Sequence, residues 1–182
     1  MRIAILGRGN VGGGLARSWE KAGHEVTAFG RDGGDASSAD AIVVAVPSGS
    51  IKDAFSKVSG FEGKPTIDAT NAFGGRDESF PSLAHEVKSI TGGPVAKAFN
   101  VNFATAYDEV GSQRVPPSQL WCGDGEAREV AEQLIRDVGY EPAAAGGLDN
   151  ARALEDFLMP FAAAAESAGG PLLYRFAKPG EL

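Results

Sequence analysis

A glycine-rich loop that directly follows an apolar strand is the feature that most constrains the fold of this chain. Residues 2–6 read as a strand, and residues 7–12 match the pattern G-x-G-x-x-G. In the segment that follows, Val11, Leu15 and Trp19 share one face at helical spacing. Because the chain contains 25 glycines, the pattern alone could arise by chance. Its position between a strand and a helix predicts a dinucleotide-binding strand–helix–strand unit.

The rest of the chain alternates short apolar strands with segments of helical pattern. Further strands are predicted at 24–29, 41–46, 65–68, 95–99, 119–122 and 140–144, and helices at 10–22, 50–58, 81–90, 124–138 and 148–167. Residues 30–40 are too short and too rich in glycine for a good helix, and Pro160 should kink the last helix or end its first half. The alternation predicts an α/β fold of the Rossmann type, doubly wound, with a mainly parallel sheet and helices on both faces. Residues 1–182 read as a single domain with a C-terminal helix and tail from about residue 148.

Composition excludes several classes of function. The formal net charge is -7 and no long stretch is basic, so a nucleic-acid partner is not expected. No apolar run approaches the ~20 residues of a membrane span, so no membrane partner is expected. One cysteine, Cys122, and two histidines provide neither a disulfide nor a usual zinc site, and no metal is predicted. With no secretory signal before the first strand, we expect a cytoplasmic protein.

Each glycine of the loop has a predicted role. Gly7 allows the tight turn off the strand, Gly9 lets a diphosphate approach the backbone, and Gly12 lets the helix pack closely on the strand. The diphosphate would lie against the free N–H groups and the positive dipole end of that helix.

The end of the second strand indicates which dinucleotide is bound. Enzymes that use NAD place an acidic residue there, whereas Gly30 stands at that position and Arg31 follows it. Arg8 of the glycine loop can reach the same ribose, and two guanidinium groups suit a 2′-phosphate. This predicts NADP(H). Asp32 and Asp35 lie close by in sequence, and a solvent-exposed Arg31 in a simple turn is the alternative.

The chain resembles the NADPH-dependent reductases of the deazaflavin coenzyme F420 along nearly its whole length. The resemblance is carried by residues 4–12, 23–26, 30–31, 46–47, 68–71, 97–100, 122–125 and 147–152. Segments 97–100 and 147–152 are the more discriminating, since the N-terminal motifs occur in many dinucleotide-binding families.

The resemblance implies hydride transfer between NADPH and a deazaflavin (F420) or flavin acceptor, in a one-domain fold that often forms a homodimer. Together with the glycine loop, it gives the predicted cofactor-binding residues Gly7, Arg8, Gly9, Asn10, Val11, Gly12, Gly30, Arg31, Val46, Pro47, Ser48 and Asn71. The family usually has Ser or Thr in place of Gly30, often a second basic residue in place of Asp32, and a helix after the second strand. These departures leave the cofactor preference and the acceptor open.

The residues that take part in the chemistry are less clearly marked. Asn71 and Asn100 are candidates to bond the nicotinamide carboxamide or the acceptor ring, and Phe73 and Phe103 could wall that ring. Turn and core roles are equally compatible with these residue types. Hydride transfer needs mainly two rings held together without water, so the lack of an obvious acid–base pair does not exclude an oxidoreductase.

Two other functions fit the sequence. The first is a non-catalytic NADP(H)-binding sensor or regulatory module, which needs no acceptor site. The second is a reductase of small imines or ketones, which normally brings a separate helical domain and is the least favoured.

Overall fold

The computed structural model describes residues 1–181 and has the predicted α/β architecture. The strands are β1 (Arg2–Leu6), β2 (Glu25–Phe29), β3 (Gly34–Asp35), β4 (Ala41–Val44), β5 (Val58–Ser59), β6 (Thr66–Asp68), β7 (Val95–Ala98), β8 (Ser118–Gly123) and β9 (Glu141–Ala144). The helices are α1 (Asn10–Lys21), α2 (Ile51–Phe55), α3 (Leu83–Thr91), α4 (Tyr107–Val110), α5 (Arg128–Val138) and α6 (Ala151–Ser167). Short 3-10 turns precede most of the helices after α1.

Seven strands form one sheet in the order β2-β1-β4-β6-β7-β8-β9. Neighbouring strands are parallel except β7 and β8, which are antiparallel. From β1 the chain adds β2 on one side and later β4 on the other, which is the reversal of strand order typical of a doubly wound sheet. The predicted Rossmann-type fold is confirmed.

The strands are buried on both faces, so successive residues of β1 point into two different cores. Ile3 and Ile5 pack with α1 and α5, whereas Ala4 and Leu6 pack with α2, α3 and part of α6. All four side chains are at most 2% exposed. Helices therefore cover both faces of the sheet, as its continuous apolar strands predict.

The short connection after β2 contains no helix, as predicted, and forms a small second sheet instead. β3 pairs in parallel with β5, with Gly34 opposite Val58 and Asp35 opposite Ser59. The pairing also corrects the predicted helix 50–58. Helix α2 ends at Phe55 because the residues that follow it are drawn into extended backbone beside β3.

The prediction that Pro160 could end the last helix is wrong, since α6 runs without a break from Ala151 to Ser167. Proline removes one intrahelical hydrogen bond. Leu158 before it, and Phe161 and Ala165 after it, are all buried, so packing holds both halves of the helix on the protein.

None of the helices in residues 1–181 combines the length and the apolar composition that a membrane span requires.

A fully buried lysine connects the centre of the sheet to α6. Lys97 on β7 lies directly opposite Asp68 on β6, and its Nζ donates to Asp68 Oδ2 at 2.8 Å and to the carbonyl oxygen of Thr70 at 2.6 Å. Glu155 Oε1 of α6 lies 3.2 Å from the same Nζ. Arg76 Nε donates to the other oxygen of Glu155 at 2.7 Å. Every charge in this cluster has a partner, which is the condition for keeping charges in a core.

We predict that Lys97→Met lowers the free energy of unfolding by about 3–5 kcal/mol, because it leaves the carboxylates of Asp68 and Glu155 buried without their shared cation. Urea denaturation measures the change. Arg136→Ala is the control, because Arg136 is exposed and within residues 1–181 it pairs only with Glu132, four residues earlier. Its loss should cost about 0.5 kcal/mol. If the two variants lose equally little stability, the buried cluster does not support the fold.

Candidate functional site

The candidate site lies at the carboxyl ends of β1 and β4, where the strand order reverses. In open parallel sheets this edge is where ligands bind. Two cavities meet here, and both are bounded by the glycine loop after β1 and by residues 45–47 after β4.

The N terminus of α1 opens into this cleft. Gly9 is its N-cap residue, no side chain caps it, and its first turn contains no acidic residue. The amide of Gly13 donates to the carbonyl oxygen of Gly9 at 2.8 Å. The amides before Gly13 are left without a capping side chain, and together with the helix dipole they favour an anion.

The three glycines of the motif have different surroundings. Gly7 has φ +115°, a conformation that other residues rarely adopt. A Cβ on Gly12 would overlap the carbonyl oxygen of Gly7, so only glycine allows α1 to lie this close to the loop. A Cβ on Gly9 would meet nothing within 4 Å and would project into open space. That space is where a diphosphate is predicted to approach.

The first cavity, of about 400 Å³, extends from the glycine loop to the end of β2. Its walls are Leu6, Gly7, Arg8, Gly9, Phe29, Gly30, Arg31, Ala45, Val46, Pro47, Ser50, Asp53, Ala54, Lys57 and Val58. The Nε of Arg8 donates to the carbonyl oxygen of Ala28 at 2.8 Å, and its guanidinium lies against Gly30. A Cβ at position 30 would make ordinary van der Waals contact with this guanidinium.

The charges at the outer end of this cavity are mostly positive. Arg31 lines it and forms no salt bridge within residues 1–181. Lys57 also lines it, paired with Asp53 at 2.7 Å. Asp35 does not line it, because its carboxylate accepts hydrogen bonds from the backbone and hydroxyl of Ser37. The arrangement suits a dianion.

The second cavity, of about 350 Å³, continues the first past the N terminus of α1. Its walls are Gly9, Asn10, Val11, Ala45, Val46, Pro47, Ser48, Ala69, Thr70, Asn71, Phe73 and Gly74. Because the two cavities share Gly9 and residues 45–47, they form one elongated cleft. All the predicted cofactor-binding residues line this cleft except Gly12, which packs against the carbonyl oxygen of Gly7 on the far side of the loop.

The two candidate asparagines have different positions. Asn71 lines the second cavity, and its Nδ2 donates to the carbonyl oxygen of Asn100 at 2.8 Å. Asn100 is fully buried and its Nδ2 donates to the carbonyl oxygen of Leu154 at 2.9 Å. Phe99, just before it, has φ +62°, an unfavourable conformation for a non-glycine residue. Asn100 therefore supports Asn71 from behind and does not line the cleft.

The two candidate phenylalanines also differ in position, since only one of them lines the cleft. Phe73 lines the second cavity, and 77% of its surface is exposed, so its ring is free to contact a ligand. Phe103 lines neither cavity and stacks on Phe161 of α6 with ring centroids 5.3 Å apart.

The thiol of Cys122 lies outside this site. It is fully buried, and burial raises its pKa to about 12, so it stays protonated and packs as an apolar group. Within residues 1–181 there is no group of three or more His, Cys, Asp or Glu side chains that could hold a metal ion.

The sequence analysis did not predict two features of the site, Lys57 in the first cavity and a third cavity beside the second. Lys57 reaches the first cavity because β5 pairs with β3, and no pattern in the residues around Lys57 predicts that pairing. A third, polar cavity of about 250 Å³ adjoins the second and includes Glu86. The sequence did contain a sign of this cavity, because the acidic residue Glu86 falls among the buried apolar residues Leu83, Ala84 and Val87 of α3.

No protein-family model and no curated protein matches the chain. Solved structures do resemble it. A protein from Arthrobacter sp. FB24, provisionally described as an F420-dependent NADP reductase, is 21% identical with a TM-score of 0.83, over 98% of this chain and 100% of that one. A hypothetical protein from Sinorhizobium meliloti is 24% identical with a TM-score of 0.66, over 81% of this chain and 86% of the other.

A reductive aminase from Aspergillus terreus, solved with NADPH and ethyl levulinate, is 15% identical with a TM-score of 0.67. The match covers 92% of this chain and 62% of that one. At these levels of identity the comparisons show that the proteins share one fold, the Rossmann-type fold that the strand order describes.

Proposed function

We propose that this protein is an NADP(H)-dependent oxidoreductase that transfers a hydride between NADPH and a deazaflavin (F420) or flavin acceptor. One observation carries the proposal. A single cleft runs from Arg8 and Arg31 at one end, across the uncapped N terminus of α1, to Asn71 and Phe73 at the other.

The residues present fit such a dinucleotide. The open space beside Gly9 accommodates the diphosphate, where the amides of α1 would bind it. Arg31, with Arg8 beside it, would hold the 2′-phosphate through paired N–H donors. When bound, the dinucleotide supplies a hydride at the end of the cleft lined by Asn71 and Phe73. There the chain orients the rings and excludes water.

The comparisons support the acceptor as well as the cofactor. The Arthrobacter protein described as an F420-dependent NADP reductase matches over 98% of this chain and 100% of its own length. The reductive aminase, which was solved with NADPH, matches over only 62% of its length. This favours a deazaflavin or flavin over a small imine as the acceptor. The exposed ring of Phe73 offers a flat surface for such a heterocycle.

Gly9→Ala tests the position of the diphosphate. Gly9 has φ -71° and ψ -166°, which alanine adopts readily, so the variant should fold, at a cost of about 1 kcal/mol for alanine at the N-cap. Its methyl group would occupy the space proposed for the diphosphate, and we expect the Kd for NADPH to rise at least about tenfold, or about 1.4 kcal/mol. Isothermal titration calorimetry measures the Kd.

Gly13→Ala is the matched control for Gly9→Ala. Gly13 lies one helical turn further along α1, and a Cβ there would make only ordinary van der Waals contact. This variant should bind NADPH as the wild type does. A Gly9→Ala protein with wild-type affinity would show that no diphosphate lies against this loop.

Arg31→Ala tests the choice between NADPH and NADH. If Arg31 binds the 2′-phosphate, its loss should weaken NADPH binding by about 1.5–3 kcal/mol and leave NADH nearly unchanged. Arg17→Ala removes the same charge from α1 outside the cleft and should change neither affinity. Equal losses for NADPH and NADH in Arg31→Ala would rule out a role in recognising the phosphate.

NADPH oxidation followed at 340 nm with F420, FMN, FAD and riboflavin in turn tests the reaction itself. We expect oxidation with at least one of these acceptors and none without an acceptor. Tight NADPH binding without turnover of any acceptor would favour the alternative, a non-catalytic NADP(H) sensor. A protein that binds neither NADPH nor NADH would overturn both proposals.

A further inference from the structure

A third cavity, of about 250 Å³, adjoins the end of the cleft where the hydride would be transferred. Its walls are Ser48, Gly49, Lys52, Gly74, Gly75, Arg76, Asp77 and Glu86. Ser48 and Gly74 also line the second cavity, so the two cavities share a wall. A ligand that fills the second cavity could extend a polar group into the third.

Two polar side chains of this cavity are buried and have no protein partner. Ser48 is 6% exposed, and its Oγ makes no hydrogen bond within residues 1–181. Glu86 is 5% exposed, and in the same part of the chain no hydrogen bond reaches its carboxylate. Buried polar groups are normally paired, because an unsatisfied one costs free energy. The two groups are therefore available to a ligand.

The other charged groups of the cavity are already paired. Lys52 Nζ lies 2.7 Å from Asp77 Oδ2, and Arg76 binds the carboxylates of Glu155 and Asp156 on α6. Glu86 is thus the one carboxyl of this cavity that forms no ion pair within residues 1–181.

The surroundings of Glu86 raise the pKa of its carboxyl group. Burial raises the pKa of Glu86, and the negative charges of Asp77 on the adjoining loop and Asp68 on β6 raise it further. Lys52 on α2 acts in the opposite direction but does not outweigh burial. The charge of Arg76 is offset by its two partners on α6. A raised pKa increases the fraction of Glu86 that carries a proton near neutral pH.

We propose that the third cavity receives the polar end of the hydride acceptor and that Glu86 donates the proton that completes its reduction. The inference rests on the proposed function, because it assigns a residue to the second half of the same reaction. The acceptor belongs to the class of conjugated C=N or C=O compounds, which after gaining a hydride carry a negative nitrogen or oxygen.

The step balances with NADPH as the hydride donor and solvent as the final source of the proton, and the C–H bond that holds the hydride on the nicotinamide breaks. The hydride forms a new bond to the acceptor, and the electron pair of the acceptor's double bond moves to its nitrogen or oxygen. That atom forms an N–H or O–H bond with the proton of the Glu86 carboxyl, whose own O–H bond breaks. Water then returns a proton to the carboxylate. In the reverse direction the Glu86 carboxylate removes the same proton.

Glu86→Gln is the test variant, because it keeps the shape of the side chain and removes the transferable proton. At pH 7 we expect kcat for acceptor reduction to fall about 100-fold, the lower end of the contribution of a general acid. The Kd for NADPH, measured by calorimetry without acceptor, should not change. Glu86→Asp, which retains a carboxyl, should recover part of the rate. Glu129→Gln, on the exposed face of α5, is the matched control and should match the wild type.

The dependence on pH separates proton transfer from a structural role. In the wild type, kcat for acceptor reduction should fall as pH rises through the pKa of Glu86, because only the protonated form donates. For the reverse reaction kcat should rise over the same range, because only the carboxylate accepts. Both dependences should disappear in Glu86→Gln. Carbon-13 NMR of the side-chain carboxyl groups, with no acceptor present, should show one glutamate that titrates above the usual range and is absent from Glu86→Gln.

The outcomes are distinct. A wild-type protein that binds NADPH and reduces no acceptor overturns the proposed function, and this inference with it. Reduction that is unaffected by Glu86→Gln overturns this inference alone. If Glu86→Gln does not fold, the two wild-type pH profiles and the NMR titration decide, with the Glu86 signal assigned by its absence from Glu86→Asp. Parallel profiles, or a Glu86 that titrates in the usual range, overturn the inference.

Discussion

The close contact between α1 and the loop after β1 is the constraint on which the site depends. At Gly12 the helix lies so near the carbonyl oxygen of Gly7 that no side chain fits between them. Further along, Gly14 lies against the ring of Tyr107, and Trp19 donates from Nε1 to the carbonyl oxygen of Leu134 at 2.9 Å. These contacts fix α1 along its length on the sheet. Its uncapped N terminus therefore opens into the cleft at a fixed place.

This geometry explains how an acidic protein can present a site for an anion. The chain carries a formal net charge of -7, yet the outer end of the cleft holds Arg8, Arg31 and Lys57. At physiological ionic strength, charges separated by more than about 8 Å are largely screened. The local cations and the end of α1 therefore determine what binds, and a small phosphorylated ligand fits such a site better than an extended polyanion.

The parts of the site that sequence could predict are those built from adjacent residues. The glycine loop, the helix after it and Arg31 follow directly from β1 and β2, so their pattern is local. Contacts between distant segments bring Lys57 to the first cavity and Glu86 to the third. For Lys57 the contact is the pairing of β3 with β5, and for Glu86 it is the packing of α3. Local periodicity contains no information about such pairings.

Lys97 is an intermediate case, and it shows what a sequence signal can and cannot provide. A lysine inside an otherwise apolar strand implies a buried partner, because an unpaired charge would be too costly there. The pattern gives no indication that the partners are Asp68 and Glu155, which lie 29 and 58 residues away. Pro160 is the opposite case. The general effect of proline on a helix predicted an interruption, but the tertiary packing of α6 keeps the helix continuous.

The buried cluster around Lys97 also limits how the end of the cleft near Phe73 can vary. The loop after β6 is tied down at one end by the bond from Asn71 to Asn100 and at the other by the ion pair from Arg76 to Glu155. Only residues 72–75 lie between these anchors, and they include the exposed ring of Phe73 and two glycines. Because these few residues separate the second and third cavities, the fit of any ligand at this end of the cleft depends on a short segment whose ends the core holds in place.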